Sequence, residues 1–282
     1  MFYRMMQQIG DELQESTHAI SQLSYCAKDI KILDLCMAPG GYTASALKYN
    51  PGATAFGITL PPVLGGHGVL LQSPESTVLF LDITMLAEEF GVETLPLIHP
   101  DHASFLSDRP YLDHRFHLIF CDGQVLRTHQ LAEYRQHQEA RRLTASQLIL
   151  ALQRIRTGGT LILLLHKMEA WDTVELLYLF SQFSSVQVFK PKKKHAIRSS
   201  FYLIARDVQP NAITAKFAVE TWKQTWWEAT FGGENGTGAA KVIADEGHIR
   251  TVLDQFGSKL IGLGRPIWET QANALSKMDF AK

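Results

Sequence analysis

The sequence has almost no net charge, few cysteines and no long apolar run. Its 282 residues carry 27 Lys and Arg against 28 Asp and Glu, which argues against coating nucleic acid by bulk electrostatics, so any RNA contact needs a local basic patch. Cys26, Cys36 and Cys121 stand singly, which indicates a reducing compartment and no zinc motif. No apolar run approaches the roughly 18 residues of a membrane span, and the first residues become polar too soon for a signal peptide. We expect an intracellular protein, cytoplasmic or nuclear, without a membrane partner.

A glycine-bearing loop follows the first apolar strand. Residues 32–35 form a short apolar run that breaks at Ala-Pro-Gly-Gly, residues 38–41, and continues into a helix-like pattern. Glycines allow a backbone to come close to a ligand, and the free N–H groups of the following helix point at the loop. A dinucleotide site would need G-x-G-x-x-G and an acidic residue about 20 positions later, whereas Cys36 and Thr59 stand at these places. The loop therefore predicts a different nucleotide-like ligand.

Residues at the ends of the first, third, fourth and fifth predicted strands match the motif pattern of a known protein family. The string D-L-x-x-A-P-G-G-[aromatic]-[Ser/Thr], here Asp34 to Thr43, resembles the S-adenosylmethionine (SAM) loop of the FtsJ-type ribose 2'-O-methyltransferases. Asp82, Asp122 (followed by Gly123) and Lys167 follow later apolar runs in the order and spacing of that family. An Asp at a strand end lies where open α/β sheets bind ligands, although capping of a helix predicted over residues 83–90 explains Asp82 equally well.

The resemblance covers residues 28–206 and implies a fold, a cofactor and site residues. The fold is α/β and Rossmann-like, with a mostly parallel seven-stranded sheet and an antiparallel last strand. The cofactor is SAM. Its expected ligands are Asp34, Ala38, Pro39, Gly40, Gly41, Tyr42, Thr59, Asp82 and Asp122. Lys167 and Asp122 are the expected catalytic residues, with Lys167 as base or hydroxyl-steering donor and Asp122 orienting it, provided that burial or another cation lowers the lysine pKa.

Two members of the family's catalytic set are missing. The family places a lysine roughly 20 residues ahead of Asp34, where Arg4 is the sole basic residue before Lys28, and a glutamate where this chain has Ser200. The sequence therefore leaves three functions open. These are an RNA ribose 2'-O-methyltransferase, an O-methyltransferase acting on a small molecule or protein under a roof formed by loops 60–74 and 99–115, and a SAM-binding protein without turnover.

A basic run lies in the last predicted hairpin, KPKKKHAIRSSFYLIA, from Lys190 to Ala205. The run fits a phosphate-binding patch beside the active-site face, and it fits a charged surface loop equally well. The residues assigned to substrate binding are Lys190, Lys192, Lys193, Arg198 and Ser200.

The remaining segments have no match in the family pattern. Residues 1–27 predict an N-terminal helical segment, 28–209 the methyltransferase domain, and 210–282 a helical extension. Within the extension, Trp222 and Trp226 share a helical face that favours packing over base stacking, a second helix is predicted over 239–256, and LGRPIW at 263–268 predicts a turn before a short last helix. The loop pattern HPDH at 99–102 resembles metal ligands but has no partner cluster, and no metal is expected. Oligomeric state has no sequence signal.

Overall fold

A seven-stranded sheet organises the chain. The computed structural model describes residues 2–22, 29–241 and 244–278. The strands, in chain order, are β1 (Lys31–Leu35), β2 (Thr54–Thr59), β3 (Ser76–Phe80), β4 (Phe116–Cys121), β5 (Ile155–His166), β6 (Ser185–Phe189) and β7 (Ser200–Val208). Their spatial order is β3-β2-β1-β4-β5-β7-β6, and every pairing is parallel except those of β7, which is antiparallel to both neighbours. The predicted Rossmann-like class and its antiparallel last strand are confirmed.

Helices cover both faces of the sheet. They are α1 (Phe2–Thr17), α2 (Gly41–Tyr49), α3 (Glu133–Gln136), α4 (Glu139–Arg154), α5 (Trp171–Phe180), α6 (Ile213–Phe231) and α7 (Glu246–Leu275), with short 3₁₀ turns at Pro62–Leu64, Ile83–Met85 and His102–Ser104. The central strands are apolar throughout because both of their faces are covered. One apolar cluster lies under α1 and α2, and a larger one lies under α4, α5 and α6. No helix among the described residues is long and apolar enough to cross a membrane.

The C-terminal extension packs into the larger cluster. Trp222 and Trp226 are buried, and the Trp226 indole N–H donates to the Thr84 carbonyl oxygen over 2.9 Å. The packing role predicted for these two residues is confirmed, and stacking on bases is excluded for them because neither ring is free. The boundary predicted at 209/210 therefore separates segments of sequence that share one core. Residues 23–27 of the predicted N-terminal segment lie outside the described ranges.

Three predicted helix boundaries are wrong. Residues 83–90 contain only one 3₁₀ turn, Ile83–Met85, which Asp82 caps. The chain turns again at Gly91, which has a positive φ. The apolar spacing over 131–156 predicts a single helix, but this segment divides into α3 and α4, and α4 ends at Arg154 because residues from Ile155 onwards are extended and join β5. The helix predicted from residue 239 begins at Glu246, where the Asp245 carboxylate accepts from the His248 N–H.

The turn predicted at LGRPIW is wrong as well. These residues lie inside α7, which continues through Pro266. Proline removes one helical hydrogen bond, here at Gly262 four residues earlier. Gly264 and Ile267 are buried against the domain on either side of the proline. Tertiary packing of this face therefore outweighs the local helix-breaking tendency.

The arginines of α4 lie largely off its predicted apolar face, and this pattern predicts that most of them are solvated. Two of them are buried. Arg142 and Arg154 are 1% and 2% exposed. Arg154 Nη2 lies 2.6 Å from a Glu89 carboxylate oxygen, and Arg142 Nη1 lies 3.3 Å from Glu139. Burial of these charges is tolerated because each has a carboxylate partner and a further backbone acceptor.

Candidate cofactor and acceptor cavity

One cavity of about 260 Å³ runs along the carboxyl edge of the sheet. The strand ends supply its floor in spatial order: Asp82 follows β3, Thr59 ends β2, Cys36 follows β1 and Asp122 follows β4, and Leu164 lies on β5. The strand order reverses between β1 and β4, and such a reversal leaves the crevice in which open α/β sheets bind ligands. The cavity is therefore at the position that the topology predicts for a ligand.

Helix α1 roofs the cavity. Its apolar side chains Phe2, Met5, Met6 and Ile9 line the cavity, and the Phe2 ring stacks on His67 with ring centroids 6.1 Å apart. Of the two loops predicted to roof the cavity, only one contributes to its lining. The 60–74 loop contributes through Leu60 and His67, whereas none of the described residues of loop 99–115 lines the cavity.

The loop after β1 is held by backbone contacts to β2. The Met37 N–H donates to the Ile58 carbonyl oxygen over 2.9 Å, and the Ala38 N–H donates to Thr59 Oγ1 over 3.3 Å. Ala38 and Pro39 line the cavity. This anchoring presents the predicted segment to a ligand at the floor of the cavity.

The two glycines of this loop meet protein, which corrects the prediction that they make room for a ligand. Gly40 has φ +97°, and a Cβ added there would lie 2.9 Å from Leu71 Cβ. A Cβ on Gly41 would lie 2.5 Å from Met6 Cβ and from the Tyr3 carbonyl oxygen. Gly41 therefore allows α1 to pack closely on α2, and Gly40 allows the loop to pass beneath the segment around Leu71.

Asp34 lies beneath the loop and does not line the cavity. It is 1% exposed, and Thr43 Oγ1 donates to its Oδ2 over 2.5 Å. Burial raises the pKa of Asp34 to about 7, against the opposing effect of the Thr43 hydrogen bonds. Asp34 therefore ties β1 to the first turn of α2 and sets the loop between them.

Asp122 carries a buried polar atom of the cavity that has no partner among the described residues. This atom is the carboxyl oxygen Oδ1. The following residue is fixed, because the Gly123 N–H donates to Gln147 Oε1 over 2.8 Å and its carbonyl accepts from Gln147 Nε2. Burial, and then the nearby Asp34, raise the pKa of Asp122 well above its ordinary value. An unpartnered buried carboxyl oxygen is costly unless a ligand supplies a donor.

Two tyrosines lie beside Asp122. The hydroxyl groups of Tyr42 and Tyr202 are hydrogen-bonded to each other, and the Tyr42 ring stacks on Phe120 with centroids 5.6 Å apart. Burial, and then Asp122, raise the pKa of both phenols well above the ordinary value. Tyr42 was predicted as a cofactor ligand, and both rings line the cavity as neutral phenols. Tyr202 was missed, because its apolar neighbours made it look like an ordinary core position.

The far end of the cavity holds Asp82 in two roles. Its Oδ1 accepts from the Thr84 N–H over 2.9 Å and caps the 3₁₀ turn, and its Oδ2 accepts from Arg135 Nη2 over 3.2 Å. The same residue lines the cavity. Capping and cavity lining, which the sequence left as alternatives, therefore occur together.

A cluster of possible metal ligands surrounds Asp82. Asp82, His129 and Glu139 bring ligand atoms within 4.8 Å of one another. The guanidinium of Arg135 lies 3.0 Å from Glu139 and 3.2 Å from Asp82, so a positive charge already occupies this position. We interpret the cluster as an ion-pair network. His99 of the HPDH loop is a packed residue, buried with its Nε2 3.2 Å from the Thr230 carbonyl oxygen.

Lys167 is not brought to the cavity. It is exposed, has φ +51°, and is absent from the residues that line the cavity, whereas Asp122 is present. The chain turns outward at the end of β5, where the Lys167 N–H donates to the Ser199 carbonyl oxygen over 3.1 Å. Leu164 lines the cavity from the same strand. The two predicted catalytic residues therefore do not share one site.

Lys190 is buried inside the loop that was predicted to bind phosphate. Its Nζ donates to the carbonyl oxygens of His195 (3.2 Å), Ser200 (2.7 Å) and Arg198. Burial lowers its pKa to about 8. Phosphate binding by Lys190 is a wrong prediction, because all three of its donors are used inside the protein. Ser200 is likewise buried, paired with His166 in the sheet.

The other basic residues of the loop are on the surface. Lys192, Lys193 and Arg198 are exposed, and their role in substrate binding stays a prediction. His195, from the same loop, is half-buried and lines the cavity. The sequence places it within the basic run, because nothing in a charged tract distinguishes the side chains that turn inward.

This strand order, with its single antiparallel strand and a cavity at the point of reversal, defines a Rossmann-like methyltransferase fold. A family model described as FtsJ-like methyltransferase matches residues 12–208. The chain belongs to the FtsJ-like methyltransferase family. A search of the curated proteins returned no match.

Solved structures similar to this chain include three methyltransferases. A protein from Plasmodium falciparum assigned as a ribosomal RNA methyltransferase is 18% identical, with a TM-score of 0.46, covering 72% of this chain and 96% of its own. An O-methyltransferase family protein from Burkholderia thailandensis is 14% identical, with a TM-score of 0.37 and coverage of 74% and 59%. Human methyltransferase-like protein 13, solved with S-adenosylhomocysteine, is 12% identical, with a TM-score of 0.37 and coverage of 79% and 89%.

The buried Asp34 carboxyl predicts a pH-dependent stability. Because its pKa is about 7 in the folded chain against an ordinary 3.8, the folded state binds more protons between pH 4 and 7, and stability falls as pH rises through this window. The Asp34→Asn variant keeps an acceptor for Thr43 without the charge. We expect its free energy of unfolding, relative to wild type, to rise by up to about 4 kcal/mol from pH 4 to 7. Urea denaturation measures it.

The exposed Asp113 supplies the control. The Asp113→Asn variant should follow the wild-type curve at every pH. An Asp34→Asn curve that runs parallel to wild type would show that Asp34 ionises as freely when folded as when unfolded.

The Lys190 ammonium predicts a local stability effect. The Lys190→Met variant removes one donor from each of three carbonyl oxygens, those of His195, Arg198 and Ser200, so we expect a loss of about 2 kcal/mol or more. Hydrogen exchange of residues 192–199 should accelerate, because these residues are anchored through that side chain. The exposed neighbour gives the control, since Lys192→Met should leave both quantities unchanged. Unaltered exchange in Lys190→Met would contradict the anchoring role.

Proposed function

We propose that this chain binds S-adenosylmethionine in the cavity and transfers its methyl group to a hydroxyl acceptor. The observation that carries the proposal is the unpartnered, buried Asp122 oxygen in a crevice floored by the Cys36–Pro39 loop, Thr59 and Asp82. The carboxyl and hydroxyl oxygens of the crevice can accept hydrogen bonds from a charged amine and from hydroxyl groups, and its apolar walls suit a flat ring.

The cofactor would lie along β3, β2, β1 and β4. Asp82 would face its base, Thr59 its sugar, and the loop with Asp122 its amino-acid part. When bound, the sulfonium supplies an already activated methyl group, so the protein mainly positions the acceptor. The rest of the cavity, over β5 and β7, then receives the acceptor. Leu164, Tyr202 and the methionines of α1 exclude water there.

An RNA ribose is the acceptor that the surface favours. The loop between β6 and β7 carries the exposed Lys192, Lys193 and Arg198 and also sends His195 into the cavity. A phosphate backbone bound by the exposed side of this loop would therefore have a ribose within reach of the cavity. The overall charge near zero requires such a local patch.

One observation favours a second function, which is SAM binding without transfer to ribose. No lysine or arginine is among the described residues that line the cavity, and Ser200, at the position of the family's glutamate, does not line it. A ribose hydroxyl is a poor nucleophile, and it gains most from a positioned base. Calorimetry with S-adenosylhomocysteine and labelled-methyl transfer to total RNA and to small-molecule extract distinguish the two functions.

Removal of the unpartnered Asp122 carboxyl group should weaken cofactor binding. We expect wild type to bind S-adenosylhomocysteine in calorimetry and Asp122→Ala to bind it at least about tenfold more weakly, which corresponds to about 1.4 kcal/mol. Circular dichroism and thermal unfolding establish that the variant is folded. Asp113→Ala, on the surface, is the control. Equal affinity of Asp122→Ala and wild type would remove Asp122 from the cofactor site.

The exposed cations should set the salt dependence of RNA binding. Each phosphate contact with single-stranded nucleic acid contributes about 0.7 to the slope of log K against log salt. We therefore expect the triple variant of Lys192, Lys193 and Arg198 to Ala to reduce the slope by up to about 2, measured by fluorescence anisotropy with a labelled RNA. The control is a triple alanine variant of the exposed Lys216, Arg250 and Lys259, which removes the same number of positive charges from another part of the surface. Equal slopes for both triple variants would exclude a specific patch.

A further inference from the structure

A histidine lies at the acceptor end of the cavity. Three histidines line the cavity. His129 lies beside Asp82 at the far end, with Nε2 3.8 Å from its carboxylate, and His67 stacks on Phe2 in the roof. His195 comes from the loop before β7, the strand that supplies Tyr202. It therefore lies at the end of the cavity away from Asp82, beyond Asp122.

The position of His195 is fixed by its backbone. It has φ +57°, a left-handed conformation that is uncommon outside glycine, although Asn, Asp and His adopt it more often than other residues do. Its carbonyl oxygen accepts from the Lys190 ammonium over 3.2 Å and from the Arg198 N–H over 2.9 Å. The buried lysine thus holds a tight turn in which His195 lines the cavity, whereas the three lysines before it are exposed.

The surroundings of His195 favour the unprotonated ring. Burial lowers its pKa, and the nearby charges of Arg198, Lys190 and His166 lower it further. The Tyr42 and Tyr202 phenols in this region of the cavity are neutral, and burial raises the pKa of Asp122 as well. At neutral pH the imidazole therefore has a free lone pair inside the cavity.

We propose that His195 is the general base for the acceptor hydroxyl, in place of a lysine. The inference rests on the proposed function. In the reaction, the acceptor oxygen bonds to the methyl carbon as the sulfur–methyl bond breaks with its electron pair remaining on sulfur, and the hydroxyl proton passes to the imidazole. The products are the methyl ether, a neutral thioether and an imidazolium. Lys190 is a positioning residue that acts through the His195 backbone.

A titration of His195 tests the proposal without an acceptor. We expect the His195 C2–H signal, assigned by its loss in His195→Gln, to report a pKa in the SAM complex at least about 0.3 pH units below that in the S-adenosylhomocysteine complex. The two ligands differ by one positive charge at sulfur, and a charge within several ångströms acts through Coulomb interaction. His248, paired with Glu175 on the outer surface of α7, serves as the reference.

The outcomes separate the two proposals. If calorimetry detects neither ligand, the proposed function fails, and this inference fails with it. If both ligands bind and His195 titrates identically in the two complexes, only the base assignment is overturned. A difference seen for His195 and not for His248 supports it.

Kinetic measurements with an acceptor that the wild-type protein methylates give a second test. His195→Gln should lower kcat by about 100-fold, within the usual range for a general base, leave S-adenosylhomocysteine affinity within about twofold of wild type, and abolish the acid limb of the kcat–pH profile. His166 is exposed and does not line the cavity, so the control variant His166→Gln should retain the acid limb of the profile. Retention of the wild-type profile in His195→Gln would overturn the assignment.

Discussion

The crevice between β1 and β4 is the constraint on which the rest of the structure depends. Parallel strands leave a sheet on the same edge, and the reversal of strand order at this pair sends the next connections to opposite faces. The loops after β1 and β4 therefore separate, and the buried Asp34–Thr43 bond and the Gln147–Gly123 contacts hold each of them in place. A ligand site follows from topology and needs only two fixed loops.

The sequence predicted this part of the molecule well, because its signals are local. The apolar runs of β1, β4 and β5 are buried on both faces and need no long-range information to be identified. Asp82 and Asp122 follow strand ends, and parallel strands bring such positions together whatever the details of packing. The same reasoning failed for the glycines, because a glycine requirement reveals only that something approaches closely. Here the approaching atoms belong to Leu71 and Met6.

Charged residues were the least predictable, because their placement is decided by partners distant in sequence. Arg154 is buried against Glu89, 65 positions away, and nothing near it in the chain indicates the pairing. Lys190 and Lys167 show the same limitation in opposite directions. Lys190, predicted to bind phosphate, donates to three carbonyl oxygens in the interior, whereas Lys167, predicted to be catalytic, is exposed and has a left-handed backbone directly after the end of β5. A basic run predicts charge at a place but not the direction of each side chain.

The positions of Lys190 and Lys167 affect which residue can act as a base. A lysine base needs its pKa lowered by several units, which requires burial or a neighbouring cation inside the site. Lys190 has that burial, yet its protons are committed to backbone carbonyls, so it cannot exchange one with an acceptor without releasing the loop. Imidazole is already near the required pKa, and the positive charges around it only need to keep it unprotonated. With an activated methyl donor, a weaker base positioned by a buried lysine can replace a strong base that must itself be tuned.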